Sequence, residues 1–175
     1  MNRTHRIRPY LFAALAAAIA TACSSGDKGV ITGQTDDPVI SLSEGPCLAT
    51  CPVYDMTLHP DGAYLLNSVR FVKGTGVSEG KLSPEAYSGA EKILTDAGFW
   101  GLEPKETPET LSNCQTDAPT AKITWRTEKG KEKTIEYNAG CGIQPMQELV
   151  GKLREALNFN DLVWTDEKFD PNGNR

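Results

Sequence analysis

The chain has 175 residues and a formal net charge of −5, with 18 Lys plus Arg against 23 Asp plus Glu. That acidity repels a phosphate backbone and excludes nucleic acid as a partner. Five cysteines and two histidines, at spacings that match no paired zinc knuckle, argue against the common zinc modules.

Residues 1–22 read as a secretory signal. Arg3, Arg6 and Arg8 precede an apolar run from Leu11 to Ala22 that is too short to span a bilayer. The run ends in Ala20-Thr21-Ala22-Cys23, which resembles the lipobox of bacterial lipoproteins. The resemblance implies cleavage before Cys23, acylation of that cysteine and membrane attachment through its lipid. The commonest lipobox has Leu where this chain has Ala20, so plain signal-peptidase cleavage nearby stays open. Ser24 follows, where an inner-membrane retention signal would favour Asp. The expected address is therefore the cell envelope, at the outer membrane and facing the periplasm. Cleavage before Cys23 removes three of the 18 cations and no acid, leaving 15 against 23 and a net charge of −8.

Export places the other four cysteines, Cys47, Cys51, Cys114 and Cys141, where disulfides persist. Four cysteines allow three pairings. Residues 23–38, rich in Ser, Gly and Asp, have the composition of a flexible, disordered tether. Residues 39–164 suit a single domain with one core, and the polar stretch 165–175 is expected to be a disordered tail.

Val39 to Ser43 reads as a first strand, with Ile40 and Leu42 on one face. Then comes Pro46-Cys47-Leu48-Ala49-Thr50-Cys51-Pro52. A disulfide needs Cα atoms roughly 4.4–6.8 Å apart, whereas residues four apart in an extended chain lie about 13 Å apart. A Cys47–Cys51 bridge therefore demands a tight turn, which Pro46 can open and Pro52 can close. As free thiols, the same C-x-x-x-C-P resembles the copper and thiol motif of Sco-type proteins. That likeness implies a thiol-disulfide or copper-handling alternative on Cys47 and Cys51. Copper there would need a later histidine, and none follows His59.

Tyr54, Met56 and Leu58 alternate with Asp55, Thr57 and His59, the pattern of a half-buried strand. Pro60-Asp61-Gly62 makes a turn into Ala63 to Leu66. A kink is expected at Asn67-Ser68, with Val69 to Lys73 continuing the strand or starting another. Gly74-Thr75-Gly76 then reverses the chain toward Val77 to Leu82. This glycine pair lacks the G-x-G-x-x-G spacing and enters no helix, so it carries no phosphate-loop reading.

Ser83-Pro84-Glu85 opens a helix with Ser as N-cap, its apolar positions running from Ala86 to Ala97. Phe99, Trp100 and Leu102 are expected as core plugs. Glu103 to Pro119 is a long Pro- and Thr-rich loop containing Cys114. Within Thr116-Asp117-Ala118-Pro119, Asp117 is a possible ligand or an Asx-type turn. Ala121 to Thr127 and Lys131 to Asn138 form a hairpin about Glu128-Lys129-Gly130, with Gly130 in the left-handed position. That register opposes Ile123 to Ile135 and residue 117 to Cys141, bringing Cys114 near Cys141. The favoured pairing is thus 47–51 with 114–141. Lys129, Lys131 and Lys133 read as a solvated edge. Met146, Leu149, Val150, Leu153 and Leu157 make a second amphipathic helix, and Leu162 to Trp164 a docked tail segment.

Strands, helix, hairpin, helix reads as α+β: a mainly antiparallel sheet with two helices on one face, in the order β-β-β(-β)-α-β-β-α. Gly45-Pro46-Cys47-x-x-x-Cys51-Pro52-x-Tyr54, with Asp61-Gly62 and Thr116-Asp117-x-Pro119, resembles the DUF6438 family over roughly residues 39–157. That resemblance implies a small secreted or lipid-anchored α+β domain and brings no activity with it.

No catalytic constellation stands out. Ser83 and Ser112 lack a G-x-S-x-G setting, and His59 is the sole candidate base after the leader. No catalytic residue, cofactor or metal is expected. The expected role is a non-enzymatic envelope binding domain, its partner a possible envelope protein, bound through a loop or a sheet edge.

Overall fold

The computed structural model describes residues 37–103, 114–115 and 117–164. The signal sequence with Cys23, nearly all of the tether, most of the loop from Glu103 to Pro119 and the tail beyond Trp164 lie outside them. Strands β1 (Val39–Glu44), β2 (Val53–Leu58), β3 (Ala63–Arg70) and β4 (Gly76–Lys81) lead into helix α1 (Pro84–Asp96). After a 3-10 turn at Phe99–Gly101 come β5 (Thr120–Arg126), β6 (Glu132–Asn138), helix α2 (Gln144–Ala156) and the short helix α3 (Phe159–Leu162). The sheet order is β4-β3-β2-β1-β5-β6, with every neighbouring pair antiparallel.

Alternation decides which side of this sheet is covered. Register aligns Ile40 with Leu58 and Trp125, then Leu42 with Met56 and Ile123, then Glu44 with Tyr54 and Ala121. All nine of these side chains are buried. The eight apolar ones share one core with Tyr87, Ala90 and Leu94 of α1 and with Met146, Leu149, Val150 and Leu153 of α2. Both helices therefore cover the same face, at about 1.5–3 kcal/mol for each fully buried large apolar side chain. The other face carries hydroxyls. Ser41 and Thr57 meet at 3.0 Å across β1 and β2, and Thr124 and Thr134 at 2.9 Å across β5 and β6. Among the described residues, the buried core runs from Ile40 to Val163, with Trp164 packed against it.

The expected kink at Asn67-Ser68 has a counterpart: β3 stays one strand, but Tyr54 pairs with Ser68 and Val53 with Arg70, so Val69 is an extra residue just past Ser68. Two local expectations need correction. Ser83 stands at the N-cap of α1 but its side chain makes no capping bond; it contributes instead to holding the Glu85 carboxyl below its ordinary value, after the main-chain N–H of Glu85 itself. The lysines after Gly130 are not simply solvated. Lys133 shares a strand face with Ile135 and Tyr137, and its Nζ donates to the carbonyls of Trp100 (3.1 Å) and Leu102 (2.5 Å). Lys131 Nζ lies 4.0 Å from the centre of the Trp100 ring.

Phe99 is fully buried, and Trp100 packs on Trp125 with ring centres 4.8 Å apart. The Gly130 loop has the expected form: Gly130 takes φ 72°, and Ile123 opposes Ile135.

Candidate functional site

Two cysteine pairs lie at disulfide distance, Cys47 with Cys51 and Cys114 with Cys141. The first pair has Cα atoms 5.7 Å apart, which is the tight turn that four-residue spacing requires. Cys51 is buried, Cys47 is half-buried, and Leu48, Ala49 and Thr50 point to solvent. The turn is held at its entry by Gly45, whose N–H donates to the carbonyl of Thr120 at 2.8 Å. This links the turn to the start of β5.

The second pair continues the β5–β6 hairpin beyond its last ladder residues, Thr120 and Asn138. Ala139 N–H donates to Pro119 O at 2.9 Å, and Gln115 N–H to Gly140 O at 3.0 Å. Asn138 Oδ1 accepts from Gly140 N–H at 2.8 Å. A Cβ on Gly140 would come within 2.6 Å of both the Gln115 carbonyl oxygen and the Ala118 methyl. Only glycine lets these two segments approach so closely.

Between the two crosslinked segments lies a cleft of about 370 Å³. Leu48, Ala49, Ala118, Pro119 and Ala139 supply its apolar lining, Gln115 and Asp117 its polar side chains, and Cys47 and Cys51 complete one side. A concave apolar surface with a few polar groups is the usual form of a binding site. Its described lining contains no histidine or lysine, and Asp117 is its one ionisable side chain outside the cysteines.

A buried ion pair stands directly behind the first turn. Arg154 on α2 donates from Nη2 to Oε1 of Glu44 at the end of β1. Tyr54 is buried beside them, and burial, followed by the Glu44 charge, pushes its phenol well above the ordinary value. Burial opposes the Arg154 charge, but Glu44 and Tyr54 outweigh it and raise the guanidinium pKa. Burial likewise pushes Tyr137 up to about 12. The sequence reading missed this group. Its signals were present: Glu44 is in phase with Ile40 and Leu42, and Arg154 follows Val150 by one helical turn.

The expected site residues thus divide cleanly. Cys23 lies outside the described residues. The other four cysteines come together at one end of the sheet, with Asp117 in the cleft between them. His59 lies past the far end of β2 from Cys51, about 20 Å away by strand length. Among the described residues, no three His, Cys, Asp or Glu gather as a metal site.

No curated protein matches the chain. The family described as a domain of unknown function, DUF6438, matches residues 38–157. The match takes in the six strands, both main helices and all four crosslinking cysteines. The chain belongs to the DUF6438 family.

Proposed function

We propose that this protein is an exported lipoprotein, acylated at Cys23, whose domain is a non-enzymatic binding module of the cell envelope. Its address on this reading is the outer membrane, facing the periplasm, with the lipid as membrane anchor. The binding end is the loop end of the sheet, where the partner is an envelope component. One observation carries the reading: the Cys47–Cys51 turn and the chain neighbours of the second pair, Gln115 beside Cys114 and Gly140 beside Cys141, line the same cleft of about 370 Å³. Crosslinks that stiffen two loops around one concavity lower the ordering cost of binding there.

The test is a photoreactive residue at position 48 of the full chain in cells, with a second at position 92 on the outer side of α1 as control. The reading predicts a discrete adduct from position 48 and none from position 92. No adduct from position 48, or equal labelling from both, contradicts it.

The rival reading makes Cys47 and Cys51 a working thiol or copper pair. The half-buried state of Cys47 at the cleft favours it, since a reactive sulfur must be reachable. Free thiols appearing at 47 and 51 under mild reduction, or copper retained on purification, would support that rival.

A further inference from the structure

Four large apolar side chains are exposed among the described residues: Leu48 (83%), Val69 (59%), Phe71 (43%) and Val77 (65%). All four lie at one end of the sheet. Glu44 opposes Tyr54, and Tyr54 opposes Ser68, so the 45–52 turn and the β3–β4 turn leave the sheet on the same side. Val77 pairs with Asn67, and Val69 is the exposed extra residue of β3 two places further on, just past the last rung of that ladder. Val77, opposite Asn67, lies on the helix-free face, and Val69 lies at the same end of the strand pair.

Phe71 is held with φ at 56°, a left-handed backbone that a bulky residue adopts only under strain. The next residue, Val72, is buried, so this conformation turns the ring outward while the chain re-enters the core. The Arg70 guanidinium sits 5.0 Å from the ring centre. Lys73 is exposed and its Nζ bonds the carbonyls of Asn160 and Asp161 at 3.2 Å. From Gly62 to Ser78 the sequence has Arg70 and Lys73 and no carboxylate, although the chain as a whole is acidic. The acid nearest the cations is the exposed Asp161, whose carbonyl Lys73 bonds; along the strands the next are Asp55, opposite Asn67, and Glu79 further along β4.

We propose that this end docks on an anionic phospholipid surface. Leu48, Val69, Phe71 and Val77 enter the boundary between headgroups and acyl chains, while Arg70 and Lys73 meet lipid phosphates. Protruding apolar tips flanked by cations are the chemistry of interfacial membrane binding. A protein partner would need a matching concavity for each of the separate tips, whereas a bilayer yields to all of them. Chain reach allows it: the 16 residues from Cys23 to Pro38 extend to at most about 55 Å, against about 20 Å for the length of β1. The inference deepens the reading of this end as the binding end, and names its occupant.

The test uses the chain from residue 24 onward, which contains every core residue among those described and lacks Cys23. Its cosedimentation is measured with phosphatidylcholine vesicles that contain or lack phosphatidylglycerol, and its mass is measured without lipid. Binding is expected only to the anionic vesicles, weakening as salt rises. Phe71→Gly and Val77→Asp should each weaken it by at least about fivefold. Phe71→Gly relieves the left-handed strain, so it should bind less without melting earlier, which separates docking from folding. Absence of binding to anionic vesicles overturns the proposal. So does unchanged binding in both variants, or a lipid-free dimer that both variants dissolve. A position-48 crosslink to a protein in cells would keep the binding-domain reading while overturning the bilayer.

Discussion

Arg154 on α2 and Glu44 at the end of β1, 110 residues apart in sequence, form an ion pair whose side chains are only 14% and 2% exposed. This pair joins the second helix to the strand that leads into the Cys47–Cys51 turn.

Removing one member strands the other in the core. Glu44→Gln and Arg154→Met are each expected to cost about 3–5 kcal/mol, and the double change to Leu and Met clearly less than the sum of the two. Urea unfolding of the chain from residue 24 measures all three; additive losses would show that the charges do not act as a pair.

The two crosslinks should differ in weight. In the chain-entropy model, closing a loop across a separation of 27 stabilises by about 3.5 kcal/mol, and across a separation of 4 by about 2. Cys114→Ser with Cys141→Ser should therefore lower the urea midpoint more than Cys47→Ser with Cys51→Ser. The reverse order would mean that the short turn braces more than its own ring.

Two glycines give opposite outcomes. At Gly140 a methyl would press on the Gln115 carbonyl and Ala118, so Gly140→Ala should destabilise by about 1–3 kcal/mol and disturb the cleft. At Gly151, inside α2, nothing lies within 4 Å, so Gly151→Ala should stabilise by about 0.5–1 kcal/mol. Thermal melting distinguishes them.

Alkali should unfold the domain. Burial pushes Tyr87 and Tyr137 up to about 12 in the folded chain, against about 10 when unfolded. A raised phenol pKa means the folded state keeps protons that the unfolded state has lost. Stability from these groups is full below about pH 10 and falls as pH rises toward 12. Phenolate absorbance should show both groups ionising late, together with loss of the fold. Early ionisation of either, in folded protein, would contradict their burial.

Much of this was legible along the chain, because it rested on short-range chemistry. The period-two run Tyr54-Met56-Leu58 and the Gly130 loop define strands and register locally, and the register alone carried Cys114 toward Cys141. Three long-range facts had no local trace. The first strand becomes central because β5 returns to its free side, a choice made by packing. Lys133 reads as one of three lysines at a hairpin tip, yet strand phase turns it toward the carbonyls of Trp100 and Leu102. The cleft exists only because the 47–51 turn and the 114–141 segment meet, a meeting that the link from Gly45 to Thr120 makes and that neither segment encodes alone.

The account stands or falls on a peptide-mass map of the protein isolated from its own cells with thiols blocked at lysis. It predicts an N-terminal Cys23 carrying acyl chains, with 47 linked to 51 and 114 linked to 141. A chain that keeps its leader or starts without lipid, or that carries blocked thiols at 47 and 51, would contradict it.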